Sequence, residues 1–241
     1  MGDFGVGVVV LIMLISVATA IGYLIGSIPF GYFFARLAGH GDIRQTGSGL
    51  TGATNVLLVT GSKPLAALTF LCDAMKGALA VYIPLGEQPS DLPVIVFGFS
   101  VVLGHLFPVW LSFRGGQGAA VLLGVATCLA WPIGLMSAAI WLAITAFLQS
   151  TVLATLIACL VASILFGFTT HPLFALLFAV MTAILGLKHK ADLCGPLAAK
   201  LLKADPLQNR SGLKKKATRY RQVAFRPLLS TVFKSARRRR T

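Results

Sequence analysis

The chain has 241 residues, 56% of them hydrophobic and only 12% charged, with a mean hydropathy of +0.85. A water-exposed globule normally carries about 25% charged residues, so a soluble domain is excluded and burial in lipid is the economical reading. The net charge of +14 sits at one end: residues 1–199 hold seven Lys/Arg and six Asp/Glu, whereas residues 200–241 hold fourteen basic side chains against Asp205 alone.

A helix that crosses the hydrocarbon core needs about 20 apolar residues. Residues 6–30 supply the first. Asp3 precedes it without a basic stretch, which argues for a permanent span and against a cleaved signal peptide. Residues 64–85 form the second, interrupted by Asp73 and Lys76. Ionisable groups inside a span are expensive and point to function, or the two neutralise each other one helical turn apart. Residues 92–113 form the third span. The next apolar run, 118–148, is too long for one helix and is broken by Trp131-Pro132, giving short spans at 118–130 and 132–148. Residues 151–168 and 172–187 follow, separated by a turn at His171-Pro172. The expected fold is an all-α polytopic membrane protein with seven transmembrane helices.

Orientation follows from the basic residues. Arg36, Arg44 and Lys63 follow the first span, Arg114 the third, and Lys188, Lys190 and the basic tail the seventh. The loop at 86–91 carries Glu87 and Asp91 and nothing basic. Seven spans bring every basic loop to one side, and six do not. The N-terminus is then outside and the C-terminus cytoplasmic. Cys72, Cys128, Cys159 and Cys194 are scattered through apolar runs with no CxxC and no Cys/His spacing, so they read as free thiols, with no metal site and no cofactor.

Three polar segments share the cytoplasmic face. In the first, Asp42 to Asn55, Gly47, Gly49 and Gly52 are spaced so that successive backbone N–H groups converge on an anion, and a helix start just beyond adds its dipole. Ser48, Thr51 and Thr54 add hydroxyls. The second holds His105 and then Arg114 beside the glycine nest Gly115, Gly116 and Gly118, ahead of another helix. The third is Lys188-His189-Lys190-Ala191-Asp192. Glycines also serve helix packing and basic residues at span ends also set topology. Two nests and two histidines on one face are what favour a site.

These segments resemble the acyl-phosphate-dependent glycerol-3-phosphate acyltransferases of bacterial membranes. The resemblance spans roughly residues 20–192 and rests on Gly26-Ser27-Ile28-Pro29-Phe30-Gly31-Tyr32, Gly47-Ser48-Gly49, Gly52-Ala53-Thr54-Asn55-Val56, Asp73 with Lys76-Gly77, Gly104-His105, Phe107-Pro108-Val109, Phe113 to Gly118, and His189. It implies seven spans and transfer of an acyl group from acyl phosphate to the 1-hydroxyl of glycerol 3-phosphate, giving lysophosphatidic acid in the bacterial plasma (inner) membrane, without a metal. It also implies catalytic roles for Ser48 and His189. Substrate contacts would come from Gly47, Gly49, Gly52, Thr54, Asn55, Lys76, His105, Arg114, Gly115, Gly116 and Gly118. The chain departs from the pattern where Leu50 stands for Asn, Leu58 for Arg, Arg114 and Gln117 for the two Lys of the second loop and Asp192 for Asn, and the acidic residue the pattern expects further on is absent from residues 194–200. Losing two cationic contacts to phosphates, at about 1.5–3 kcal/mol each, weakens binding by about 10²–10⁴-fold unless Arg44, Lys76, Lys188 or Lys190 compensates.

Residues 1–199 therefore read as one membrane domain, and 200–241 as a basic cytoplasmic tail, disordered or lying on anionic headgroups. Its basic runs carry no recognition motif, so nucleic acid is not the expected partner. Two other functions stay open: a divergent, catalytically impaired relative that binds or regulates a partner, and a small transporter of anionic solutes. A transporter is expected to place polar groups at mid-span and often to show repeats, and the polar groups here cluster at one face.

Overall fold

The computed structural model describes residues 2–83, 91–169, 171–190 and 192–193. Nine α-helices make up the fold among these residues: α1 (Gly2–Gly26), α2 (Phe30–Leu37), α3 (Ala53–Thr60), α4 (Lys63–Tyr82), α5 (Asp91–Leu106), α6 (Ala119–Leu129), α7 (Trp131–Leu148), α8 (Thr151–Gly167) and α9 (Pro172–Lys188). Each of the seven predicted spans falls on one of them. Four stretches, Val6–Leu37, Lys63–Tyr82, Asp91–Leu111 and Trp131–Leu148, are long and apolar enough to cross a membrane by length and composition, and α6, α8 and α9 are shorter apolar helices.

α1 is apolar around most of its circumference and exposes Val6, Val9, Leu11, Met13 and Leu14. An all-round apolar helix with so little burial belongs in lipid. It ends at Gly26, four residues before the end of the predicted span, because Pro29 has no N–H to continue the ladder. Phe30 instead opens α2. Likewise α5 stops at Leu106, ahead of Pro108, and residues 107–118 run as a 3₁₀ turn (Val109–Leu111) and loop, of which the predicted third span had included 107–113. The break at Trp131-Pro132 lies where expected, with Pro132 tolerated in the first turn of α7.

α1 packs on α5, α4 on α6, and α6, α7, α8 and α9 follow one another in an antiparallel array. α4 and α6 approach closely because Gly77 faces the Val121 backbone and Gly124 faces the Ala74 backbone. The core between the helices is formed by Val101, Leu106, Val121, Val125, Phe166, Phe178, Met181 and Leu185. Cys72, Cys128 and Cys159 are free thiols. The loop residue Glu87, Cys194, the 199/200 boundary and the basic tail lie outside the described residues.

Candidate active site

The loop between α2 and α3 begins with a capped turn. The Asp42 carboxylate accepts from the Arg44 backbone N–H at 2.9 Å and lies 2.6 Å from its guanidinium. The Arg44 guanidinium holds the Asp42 carboxyl below the usual carboxylate range, against a burial effect of opposite sign. The same hydrogen bond raises Arg44. Arg44 Nη1 also donates to Leu111 O at 2.8 Å, which ties this loop to the one after α5.

Asn55 organises the rest of the loop from inside. Buried in the first turn of α3, its Oδ1 accepts from the Ser48 N–H, and its Nδ2 donates to Ile43 O and Leu50 O, each at 2.7 Å. Gly47 has φ +62°, and a Cβ there would overlap Asn55 Oδ1. Only glycine fits both demands. The network takes the Ser48 N–H and leaves its hydroxyl. Gly52 caps α3, with Thr54 half-buried beside Asn55, and Gly49 completes the reversal.

The second loop closes around His105, in the last turn of α5. The Gly116 N–H donates to His105 O at 3.1 Å, and a Cβ on Gly116 would strike the His105 ring. Lys188, at the end of α9, donates to Leu106 O at 2.6 Å and Gly116 O at 2.7 Å, with its ammonium 4.9 Å from the centre of the Phe107 ring. The Tyr23 hydroxyl donates to Phe107 O at 2.6 Å. Gly115 and Gly118 are buried, and Gly118 is the cap of α6. Arg114 is exposed and pairs with no acidic side chain among the described residues.

Behind the two loops lies a buried polar cluster. Lys76 Nζ stands 2.9 Å from Asp73 Oδ1 and donates to Gly26 O and Ile28 O at 2.9 and 3.0 Å. His105 Nδ1 lies 3.5 Å from the same Asp73 oxygen. Ser27, Thr51, Asp73, His105 and Pro108 line one narrow crevice, so parts of both loops meet there. Lys76 thus joins the broken backbone at 27–29 to α4. His189, just past α9, is 3% exposed, and its Nδ1 lies 3.1 Å from Asp192 Oδ2.

The structure therefore brings the three polar segments to one end of the bundle, but it assigns the cations differently from a simple charge count. Arg44, Lys76 and Lys188 are held by carbonyls and carboxylates of the protein itself, whereas Arg114 and Lys190 are exposed. Leu58 and Gln117 are half-buried and bring no charge. Sequence reasoning missed Tyr23 as a fastener of the second loop, and it read Lys188 as an orientation signal or a spare cation. The spacing of Lys188 next to His189 was visible, but its acceptors were not.

The glycerol-3-phosphate acyltransferase family model matches residues 16–197. A glycerol-3-phosphate acyltransferase from Mesorhizobium japonicum is 48% identical over 181 residues, covering 75% of this chain and 91% of the relative. Its counterpart from Brucella anthropi is 47% identical over 176 residues, covering 73% and 86%. The crystal structure of PlsY (YgiH), an integral membrane glycerol 3-phosphate acyltransferase, superposes in its glycerol 3-phosphate form with a TM-score of 0.71 at 29% identity, covering 84% of this chain and 98% of PlsY. The lysophosphatidic acid form gives 0.68 at 30% identity, covering 77% and 92%.

Proposed function

The chain belongs to the glycerol-3-phosphate acyltransferase family, and from that membership we infer how its polar face performs the transfer. It is a multi-pass membrane acyltransferase that makes lysophosphatidic acid, a reading favoured over the impaired-relative and transporter alternatives. The finer reading is ours. Acyl phosphate is the donor, the membrane is the bacterial inner membrane, and seven helices cross it with the N-terminus outside.

The observation that carries the mechanism is the pair of glycine loops, each held rigid from behind and fastened to the other by Arg44 and Leu111. The first loop keeps the half-exposed Ser48 hydroxyl free of the Asn55 network and the second presents the exposed Arg114, so a phosphate would meet a small polar donor on one side and a cation on the other. The Ser48 hydroxyl and the nest of Gly47, Gly49 and Gly52, with Thr54 beside it, face the acyl phosphate. Arg114 and the nest of Gly115, Gly116 and Gly118 hold the phosphate of glycerol 3-phosphate. Asn55 and His105 act through the loops they hold, and Lys76 through the break between α1 and α2.

In the reaction the 1-hydroxyl oxygen of glycerol 3-phosphate bonds to the acyl carbon, and the bond from that carbon to the phosphate oxygen breaks. Phosphate departs with the electron pair, and the hydroxyl proton passes to a base. The leaving group is already good, so most of the acceleration comes from positioning the reactants and stabilising the carbonyl oxygen as it gains charge.

The test is acyl transfer from palmitoyl phosphate to glycerol 3-phosphate by purified protein in lipid. Turnover is expected, falling about 10²-fold or more in Ser48→Ala, the scale of losing one hydrogen-bond donor at the reacting oxygen. Turnover with palmitoyl-coenzyme A and none with palmitoyl phosphate would overturn the choice of donor.

A further inference from the structure

The side chain of Asp73 is 3% exposed, in the middle of α4. A carboxylate inside a span is unfavourable unless it is paired. A counter-ion for Lys76, one turn away, would only need to be near that ammonium. The contacts of Asp73 are more specific than this. One atom, Oδ1, lies 2.9 Å from Lys76 Nζ and 3.5 Å from His105 Nδ1, and the two groups lead to different loops of the site.

Lys76 leads to the first loop. Its ammonium donates to Gly26 O and Ile28 O, in the break between α1 and α2. Ser27 Oγ is buried in that break with no partner among the described residues, so the break is held from α4 and not by its own hydroxyl. α2 begins at Phe30, and a Cβ on Gly31, in its first turn, would overlap Thr51 O. Thr51 precedes the Gly52 cap of α3 and follows Ser48 in the same loop. A shift of the break is therefore passed by backbone contact to the loop that carries Ser48.

His105 leads to the second loop. Its carbonyl accepts from the Gly116 N–H at 3.1 Å, and its ring fills the space that a Gly116 side chain would need. Gly116 in turn stands close behind Arg114 in sequence. Among the described residues no other carboxylate pairs with Lys76 or His105. Arg44 and Lys188 are committed elsewhere, to Asp42 with Leu111 O and to Leu106 O with Gly116 O.

We propose that Asp73 is a positioning residue whose Oδ1 sets the first loop against the second, and so the Ser48 hydroxyl against Arg114. The proposal rests on the acyltransferase reading, in which one loop faces the acyl donor and the other holds glycerol 3-phosphate. Each loop keeps its own donors when Asp73 is changed, so each substrate still binds. Their mutual alignment is what suffers, and misplacing reacting groups by about 1 Å costs about 10²-fold. The loss falls on kcat and not on KM.

Asp73→Glu separates a positioning residue from a plain counter-ion, because it keeps the negative charge in the span and displaces the carboxylate by one methylene group. Its kcat is expected to fall about 10–10²-fold with little change in KM for either substrate. Hydrogen exchange of the protein in lipid nanodiscs supplies a readout that needs no turnover. Residues 26–34 and 112–118 are expected to exchange faster together, while α8 and α9 exchange as in the wild type. If Asp73→Glu does not fold, Asp73→Asn, which keeps the shape of the side chain, is expected to show the same paired change. Wild-type kcat in a folded Asp73→Glu, faster exchange at 26–34 alone, or a change spread over α8 and α9 overturns the proposal. Paired faster exchange in a protein whose wild type does not turn over palmitoyl phosphate would fail the donor assignment and leave the coupling of the loops standing.

Discussion

Three side chains, Arg44, Lys76 and Lys188, show what cations do in a chain with so few of them. Each donates to main-chain carbonyls where a helix has ended inside or beside the apolar body: Leu111 O, Gly26 O with Ile28 O, and Leu106 O with Gly116 O. Irregular backbone at membrane depth survives only where such groups are paired. Replacing Lys188 by Met keeps most of its apolar stem and removes two charge-assisted donors at once. With about 1–3 kcal/mol lost for each carbonyl left unpaired, the expected result is a lower unfolding temperature and a fall in kcat larger than the change in KM. Thermal unfolding in detergent and steady-state kinetics check it, and an unchanged melting temperature would show that the carbonyls find other donors. At this scale the sequence was legible where glycine was diagnostic. The close spacing of Gly47, Gly49 and Gly52 announced a tight backbone reversal around Ser48, and the structure holds that reversal with Asn55, which takes the Ser48 N–H. It was not legible where the partner lay far along the chain: the 72 residues between Lys188 and Gly116 leave no local pattern.

At the scale of elements, long apolar runs located the helices and prolines located their breaks. The errors fell where a run of apolar residues continued past a helix end. Phe30 belongs to α2 and Phe113 to a loop, although both are as apolar as the spans they follow, because Pro29 and Pro108 interrupt the ladder in ways that hydropathy does not register. The short helices α2 and α3 were hidden for a related reason. Eight residues each, they carry too little periodicity to stand out, and tertiary packing stabilises them more than propensity does. Between them the Asp42–Arg44 turn is the element most open to pH. Arg44 lowers the Asp42 carboxyl in the folded chain, so the folded state binds this proton less readily than the unfolded one. The turn's contribution is fully present above the unfolded carboxylate value of about 3.9 and is lost as pH falls through the lower folded value. Asp42→Asn should therefore unfold at a lower temperature than the wild type at pH 7, with the gap closing below about pH 4. A gap that persists unchanged into that range would mean the turn is held by something other than the ionised pair.

For the whole molecule the open quantity is how many helices cross. α6 has 11 residues and α8 and α9 have 17 each, or about 17 and 26 Å of helix, against a hydrocarbon core of about 30 Å. Length alone therefore identifies only four crossing stretches. The case for seven rests on charge: Arg36, Arg44, Lys63, Arg114, Lys188 and Lys190 share a side if every short helix crosses, and do not if one of the three fails to. The polar structure agrees, since Arg44 touches the loop after α5 and Lys188 touches both ends of that loop, which places residues following the first, third and seventh spans at one surface. The bilayer thins locally around short spans at modest cost, so the length of α6 is compatible with the crossing we propose. The tail offers a direct check. Residues 200–241 hold fourteen Lys and Arg side chains, an ideal target for trypsin, and they lie on the same side as the active face if the parity is right. In sealed inside-out vesicles trypsin should remove the tail, and in intact spheroplasts it should not. The reverse pattern would mean an even number of crossings, or an N-terminus inside, and would put the glycine loops on the side away from the cytoplasm that supplies glycerol 3-phosphate.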